Sequence, residues 1–140
     1  MRILIDTNVI LDFLLHRDPW FSSAYELIRR CADQKGLQGF VTSQSIADMF
    51  FILRKIYTPD ERRALLLDLC QILSVVSPDH DQVVQALKNT AFSDFEDCLQ
   101  ETCAVFSGAD YVITRNVDDF TGSRIPVLSP SQFLQQYIDL

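Results

Sequence analysis

Residues 2–14 read RILIDTNVILDFL, which is an apolar run, then a polar cluster, then a helical pattern. The run Ile3–Ile5 has the length and composition of a buried strand. The polar cluster Asp6, Thr7 and Asn8 follows it directly. The apolar residues beyond the cluster recur at helical spacing and form one face: Val9, Ile10, Phe13 and Leu14. The opening of the chain therefore predicts a strand that leads through polar residues into a helix.

The same alternation of short apolar runs and longer helical patterns continues to the end of the chain. The predicted strands are Arg2–Ile5, Phe40-Val41, Leu73–Val76, Tyr111–Ile113 and Ile125–Leu128. Capping signals predict the later helix starts at Asp18-Pro19, Ser43, Thr58-Pro59-Asp60-Glu61, Ser77-Pro78, Ser93–Glu96 and Ser129-Pro130. The helix from Ser43 is expected to run to about Tyr57. Strands separated by helices predict one α/β domain over residues 1–140, with a central parallel sheet and helices on both faces.

Composition limits the classes of function. The longest apolar run, Met49–Leu53, is far shorter than the roughly 20 residues of a membrane span, so no membrane segment is expected. Four cysteines form no CxxC pair and are expected to be reduced core thiols, which suits the cytoplasm. The net charge of −7 excludes a broad basic surface for nucleic acid. A carboxylate-lined site can still receive a phosphate when a divalent metal reverses the local field.

Two carboxylates lie where a parallel sheet places its chemistry, close to strand ends and helix starts. Asp6 ends the first strand, and it can act as a helix N-cap, as a site residue or as both. Asp48 is the single polar residue within residues 46–53, between Phe51 and Ile52 on the helix surface. It therefore either reaches solvent through a narrow strip or is partly buried with a proton, a cation or a metal.

Two further acidic groups share this placement. Asp94, Glu96 and Asp97 begin one predicted helix, in which helical geometry puts Asp97 with Asp94 and Glu101 on a face that can be simply solvated. Asp119 follows the strand Tyr111–Ile113 in an acidic loop. Oxygen ligands at this density suit Mg²⁺ or Mn²⁺ better than zinc.

Four segments together resemble the PIN-domain family of metal-dependent nucleases, which includes VapC-like toxins of toxin–antitoxin pairs. The segments are ILIDTNVILD, TSQSIADMF, DFEDCLQ and TRNVDDF, and they cover essentially the whole chain. The resemblance implies a three-layer α/β/α PIN-like fold. It also implies an endoribonuclease that hydrolyses RNA phosphodiesters with Mg²⁺ or Mn²⁺ and acts as the toxin of a type II pair.

Residue roles follow from this resemblance, motif by motif. The acidic catalytic and metal-binding residues would be Asp6, Asp48, Asp97 and Asp119, although relatives commonly carry Glu where this chain has Asp48. Asp94 and Glu96 are close enough to share the role of Asp97, and Asn116 competes with Asp119. The supporting polar residues would be Asn8, Thr114 and Asn116, and the substrate-binding candidates are Arg115, Arg54 and Lys55. The family also implies an RNA substrate, a cognate antitoxin and a homodimer.

Other functions remain open on the sequence. An aspartyl-phosphate enzyme of the haloacid dehalogenase type would use an Asp after the first strand, but it needs a second Asp two positions later, where this chain has Asn8. A PIN-like protein could also bind RNA or a partner without cleaving it, and the same site could cut DNA. No glycine-rich nucleotide-binding motif is present in the sequence.

Overall fold

The computed structural model describes residues 1–138, in which strands and helices alternate as predicted. The strands are β1 (Arg2–Ile5), β2 (Gln38–Thr42), β3 (Ser74–Val76), β4 (Tyr111–Ile113) and β5 (Val127–Leu128). The helices are α1 (Thr7–Leu14), α2 (Phe21–Ala32), α3 (Ser43–Ile52), α4 (Pro59–Ile72), α5 (His80–Lys88), α6 (Phe95–Phe106) and α7 (Pro130–Gln136). Short 3₁₀ turns occupy Leu53–Lys55 and Val117–Phe120.

The five strands form one sheet in the order β3-β2-β1-β4-β5, and every neighbouring pair is parallel. The register aligns Ile5 with Ile113, so β1 and β4 end side by side. The chain winds outward in one direction from β1 through β2 and β3, and in the other from β4 to β5. The carboxyl ends of β1 and β4 therefore border the crevice at which open α/β sheets bind ligands.

Helices cover both faces of the sheet, which confirms the predicted three layers. Alternate residues of β1 enter separate cores, because successive side chains of a strand point to opposite faces. Ile3 and Ile5 pack with residues of α1, α2, α3, α4 and α7. Leu4 packs on the other face with residues of α5, α6 and the loops beside them. Burial on both faces explains why the strand reads as a continuous apolar run.

Two of the predicted capping signals are confirmed in full. The Thr58 hydroxyl accepts from the backbone N–H of Glu61, and the Glu61 carboxylate accepts from the backbone N–H of Thr58, with Pro59 beginning α4. Ser129 and Gln132 make the same reciprocal pair at the start of α7. Each pair satisfies two backbone donors that the first helical turn would otherwise leave free.

Three predicted caps are wrong by one or two residues. Thr42, not Ser43, caps α3 and accepts from the Ser45 backbone N–H. Asp79 caps α5 in place of the Ser77-Pro78 start, and Asp94 replaces Ser93 at α6. In each case two residues able to cap lie within two positions of each other, and the residue that caps has extended backbone geometry.

Several element boundaries also differ from the prediction, including those of β2, which is longer than Phe40-Val41, and β3, which begins at Ser74. Residues 18–20 form a turn, so α2 begins at Phe21 and not at Asp18-Pro19. The helix α3 ends at Ile52 and tightens into the 3₁₀ turn, before the predicted limit at Tyr57. The last strand has two residues, not the four of Ile125–Leu128.

The thiols follow the prediction with one exception. Cys31, Cys98 and Cys103 are buried and free, and burial raises the pKa of Cys31 to about 12 and that of Cys103 to about 11. Cys70 is free but exposed, so its assignment to the core is wrong. Among the described residues, no helix has the length and apolarity needed to cross a membrane.

Candidate active site

Asp6 lies at the carboxyl end of β1, and its interpretation as a helix N-cap is confirmed. Its carboxylate caps α1 by accepting from the Thr7 backbone N–H at 2.7 Å through Oδ1. The same oxygen accepts from Nε2 of Gln100 at 2.6 Å, and Oδ2 accepts from Oγ1 of Thr114 at 2.7 Å. Asp6 is only 6% exposed, and these three donors stabilise its charge in place of water.

Of the predicted supporting residues, Thr114 alone touches a site carboxylate directly. It is the residue after β4, it is fully buried, and its hydroxyl oxygen also accepts from the Asn116 backbone N–H at 3.1 Å. The Asn8 side chain accepts from the Arg115 backbone N–H at 3.5 Å. Asn8 and Asn116 therefore order the loop that follows β4, and Thr114 links this loop to Asp6.

The contact between Asp6 and Gln100 was not anticipated from the sequence. Gln100 is buried on α6, three residues after Asp97 and therefore on the same side of the helix. This spacing is the signal that was available, because a polar residue on that face points toward the carboxyl edge of the sheet.

Glu101, the residue after Gln100, is 0% exposed and binds Arg124, with Oε1 2.7 Å from Nη2. The prediction of a solvated face containing Glu101 is wrong, because Arg124 compensates the buried charge from 23 residues away.

Asp97 lies at the start of α6, among other carboxylates. The Asp94 side chain caps the helix and accepts from the Asp97 backbone N–H at 3.0 Å. The pKa of Asp97 is raised to about 6, mainly because the side chain is partly buried. Negative charges on Asp94, Asp6 and Asp119 contribute the rest of this rise. Asp6, which follows β1, and Asp119, in the Val117–Phe120 turn, therefore lie close enough for their charges to act on Asp97.

Asp48 is half-buried on α3. The sequence left open whether its side chain reaches solvent or is partly buried, and the observed position combines the two. It accepts from the Gln44 side chain at 3.2 Å and lies against Glu96 of α6. A hydrogen bond between the two carboxyl groups is the main reason that the pKa of Glu96 is raised to about 7. Glu96 therefore reaches Asp48 across the site, and it does not form the predicted capping box with Ser93. The charge of Asp6 also contributes to the raised pKa of Glu96, which ties this pair to the same cluster.

The candidate substrate-binding residues lie in two places. Arg115 pairs with Asp12, which is 1% exposed, at 2.7 Å from Nε to Oδ2 and 3.1 Å from Nη2 to Oδ1. Its guanidinium also stacks 3.9 Å from the centre of the Trp20 ring. Arg54 and Lys55 are exposed on the 3₁₀ turn after α3, where Arg54 stacks on the Phe51 ring at 3.6 Å.

The site carboxylates have no basic partner among residues 1–138. None of the four carboxylates assigned from the resemblance, nor Glu96, lies within ion-pair distance of Lys or Arg in this part of the chain. Uncompensated carboxylate oxygens are the ligands that Mg²⁺ and Mn²⁺ prefer, so the donor chemistry fits these ions. As the side chains stand, however, the described residues contain no group of three or more His, Cys, Asp or Glu that could hold a metal ion. Binding a cation would therefore require carboxylate side chains to turn toward each other.

Comparison with known proteins adds a family and a fold. A family model described as PIN domain matches residues 2–118. No curated protein matches. Among solved structures, VapBC-1 from nontypeable Haemophilus influenzae is similar at 16% identity and a TM-score of 0.70, with 94% of this chain and 99% of that chain covered. FitAcB from Neisseria gonorrhoeae is similar at 15% identity and a TM-score of 0.67, with 92% and 98% covered.

A third similar structure is described as DNA-bound VapBC from Salmonella typhimurium. It is 18% identical, has a TM-score of 0.62, and covers 91% of this chain and 98% of that chain. At these identities the structural matches establish the shared fold. They agree with the parallel five-stranded sheet and its two helical layers.

Proposed function

The chain belongs to the PIN-domain family, and from this membership we propose that it is a divalent-metal-dependent endoribonuclease, the toxin of a type II toxin–antitoxin pair. The observation that carries the proposal is the gathering of uncompensated carboxylates beside the crevice between β1 and β4. Asp6, Asp97 and Asp119 come from three separate segments, and the negative charges of Asp6 and Asp119 act on Asp97. A cluster of this kind costs free energy in the isolated protein unless a cation offsets its charge.

In the proposed mechanism, Asp6, Asp48, Asp97 and Asp119 would hold Mg²⁺ or Mn²⁺. Such an ion would supply polarisation of the scissile phosphate and a lowered pKa for a water that attacks phosphorus. Thr7, Gln100 and Thr114 fix the orientation of the Asp6 carboxylate through the three hydrogen bonds already described. Hydrolysis adds water across the phosphodiester and leaves 5′-phosphate and 3′-hydroxyl ends.

RNA binding needs local positive charge, because the chain carries a net charge of −7. We assign this role to Arg54 and Lys55, which are exposed beyond α3, the helix that carries Asp48. The side of Arg115 not paired with Asp12 is a third contact for a phosphate. Its bidentate pair with buried Asp12 holds this arginine beside Thr114 at the site.

The experiment that tests the activity is cleavage of total RNA by the purified chain with Mn²⁺. We expect cleavage that is abolished by chelator and by Asp6→Asn, and retained by Asp33→Asn. The latter is a matched control because Asp33 is exposed at the end of α2 and pairs with Arg29. Parallel reactions with single-stranded DNA separate a ribonuclease from a deoxyribonuclease.

A non-catalytic PIN-like protein that binds RNA or a partner is the second candidate. It is favoured by Asp48 in place of the more usual Glu and by the lack of a ready three-ligand group in residues 1–138. RNA binding that is equal for the wild type and Asp6→Asn, with no cleavage under any divalent metal, would establish this alternative and exclude the enzyme.

The partners follow from the same family membership. We propose that a small antitoxin encoded by a neighbouring reading frame binds the chain and suppresses cleavage, and that the chain forms a homodimer. Co-expression with the neighbouring frame, followed by affinity purification of the complex, tests the first statement. Size-exclusion chromatography with light scattering of the purified chain tests the second.

A further inference from the structure

The hydrogen bonds around Asp6 restrict how many further bonds its carboxylate can accept. An ionised carboxylate has about four lone-pair positions, two on each oxygen. On Oδ1, both are used by the Thr7 backbone N–H at 2.7 Å and by Nε2 of Gln100 at 2.6 Å. On Oδ2, Thr114 uses one at 2.7 Å. One position therefore remains, and it is on Oδ2.

Of the two donors to Oδ1, Thr7 is fixed by the fold. Its N–H belongs to the first turn of α1 and bonds to Asp6 as the helix cap, so releasing it would uncap the helix. Gln100 is different, because it contributes a side chain from a helix that begins 89 residues after Asp6. Whether Oδ1 is saturated thus depends on one amide group.

The orientation of this amide is determined by its contact with Asp6. A reversed amide would place Oε1, an acceptor, against the negatively charged Oδ1, so Nε2 must face Asp6. This orientation leaves Oε1 buried and without a hydrogen-bond partner among the described residues. Buried polar atoms are nearly always satisfied in folded proteins. Gln100 therefore keeps its contact with Asp6 at the expense of its own acceptor, which is unusual for a residue that serves only to fill the core.

We propose that Gln100 is a positioning residue that saturates Oδ1 of Asp6 and restricts this carboxylate to a single bond with one cation through Oδ2. The inference rests on the proposed metal-dependent function. A carboxylate that bridges two cations needs two free lone-pair positions, on one oxygen or on both, and Asp6 has only one while Thr7, Gln100 and Thr114 donate to it. The site therefore takes one ion at Asp6, held in a fixed direction, and not a pair bridged by Asp6.

The test measures Mn²⁺ binding without RNA, by isothermal titration calorimetry and electron paramagnetic resonance. For the wild type we expect an ion with the spectrum of an isolated Mn²⁺, without exchange coupling to a second ion. Gln100→Met keeps the length of the side chain and removes the donor, and it should raise the Mn²⁺ dissociation constant about 10–100-fold, the usual effect of losing a partner that orients a metal ligand. Thr102→Val is the matched control, because Thr102 is buried on α6 and bonds to the Cys98 carbonyl.

The outcomes separate the two levels of inference. An exchange-coupled Mn²⁺ pair in the wild type, or an unchanged dissociation constant in Gln100→Met, overturns the role of Gln100 and leaves the proposed nuclease intact. An absence of Mn²⁺ binding in the wild type overturns the metal-dependent function and the inference with it. If Gln100→Met does not fold, Gln100→Asn, which is too short to reach Asp6, replaces it, and the wild-type spectrum still decides the number of ions at Asp6.

Discussion

Replacing Asp97 with asparagine should stabilise the metal-free protein. The pKa of Asp97 is raised from 3.8 to about 6, which corresponds to about 3 kcal/mol of unfavourable free energy for the charged side chain. Solvent screening at this partly exposed position reduces the figure to about 1.5 kcal/mol. Asparagine also loses about 0.5 kcal/mol of favourable interaction with the N-terminus of α6. The net gain in the free energy of unfolding at pH 7.5 is therefore about 1 kcal/mol, or about 3 °C in Tm.

The pH dependence of stability has a definite sign. A carboxyl group whose pKa is higher in the folded than in the unfolded state binds protons more tightly in the folded state, so stability falls as pH rises. For Asp97 this loss occurs between about pH 4 and pH 6, and for Glu96, with a pKa of about 7, it continues to neutral pH. In Asp97→Asn, the loss of stability due to Asp97 between about pH 4 and pH 6 should disappear, and the loss due to Glu96 toward neutral pH should remain.

The assay is urea unfolding in the presence of a chelator, at pH 5 and pH 7.5, with circular dichroism. Asp33→Asn serves as the control, because it removes an exposed carboxylate that is paired with Arg29 and should cost less than about 1 kcal/mol. If Asp97→Asn is no more stable than the wild type at pH 7.5, the partial burial of its carboxylate and the charges of Asp94, Asp6 and Asp119 do not together disfavour its ionised form. The electrostatic argument for a carboxylate cluster around Asp97 would then be wrong.

Three further predictions concern packing, pairing and metal binding. Arg115→Met should lower the free energy of unfolding by about 3 kcal/mol, because buried Asp12 then keeps only its longer ion pair with Arg17, at 3.8 Å. Asp12→Asn should cost about 1.5–3 kcal/mol, because the remaining arginine is partly exposed. If urea unfolding shows that Asp12→Asn costs more than Arg115→Met, the pairing of Arg115 with a buried Asp12 charge is contradicted. Gly122→Ala should cost about 1–3 kcal/mol, because its Cβ would lie 2.9 Å from the Ala91 carbonyl oxygen; an unchanged Tm would contradict this packing. Finally, Mn²⁺ should raise the Tm of the wild type in thermal unfolding but not that of Asp6→Asn, and equal shifts would exclude Asp6 as a ligand.

The fold could be predicted from the sequence because its strands and helices are encoded in local patterns of apolar and polar residues. The central strands β1 and β4 are apolar runs that are largely buried, and the helices carry apolar stripes, so both patterns are visible without tertiary information. The predicted caps that failed show the limit of this approach. At Thr42-Ser43 and at Ser93-Asp94, either residue can cap a helix, and the choice depends on where the preceding segment leaves its extended conformation.

The acidic residues could be located from the sequence, but their contacts could not. The positions of Asp6 and Asp97 follow from the ends of strands and the starts of helices. The pairing of Asp48 with Glu96 depends on how α3 packs relative to α6, which no local pattern reports. Asp12 is buried within the apolar helix α1, and its ion pairs with Arg115, 103 residues later, and with Arg17 compensate its charge.

The face of α6 that turns toward the sheet edge joins these separate observations. Asp97, Gln100 and Glu101 are three and four residues apart, so they lie on one side of the helix. On this side of α6, Asp97 lies with the other site carboxylates and Gln100 donates a hydrogen bond to Asp6. Glu101 accepts from the backbone N–H and the guanidinium of Arg124, in the segment that follows Asp119. Because one helical spacing sets all three contacts, shifting the register of α6 by one residue would disrupt them together. The charged residues supply the chemistry of the proposed site, but the buried polar residues between them determine where those charges meet.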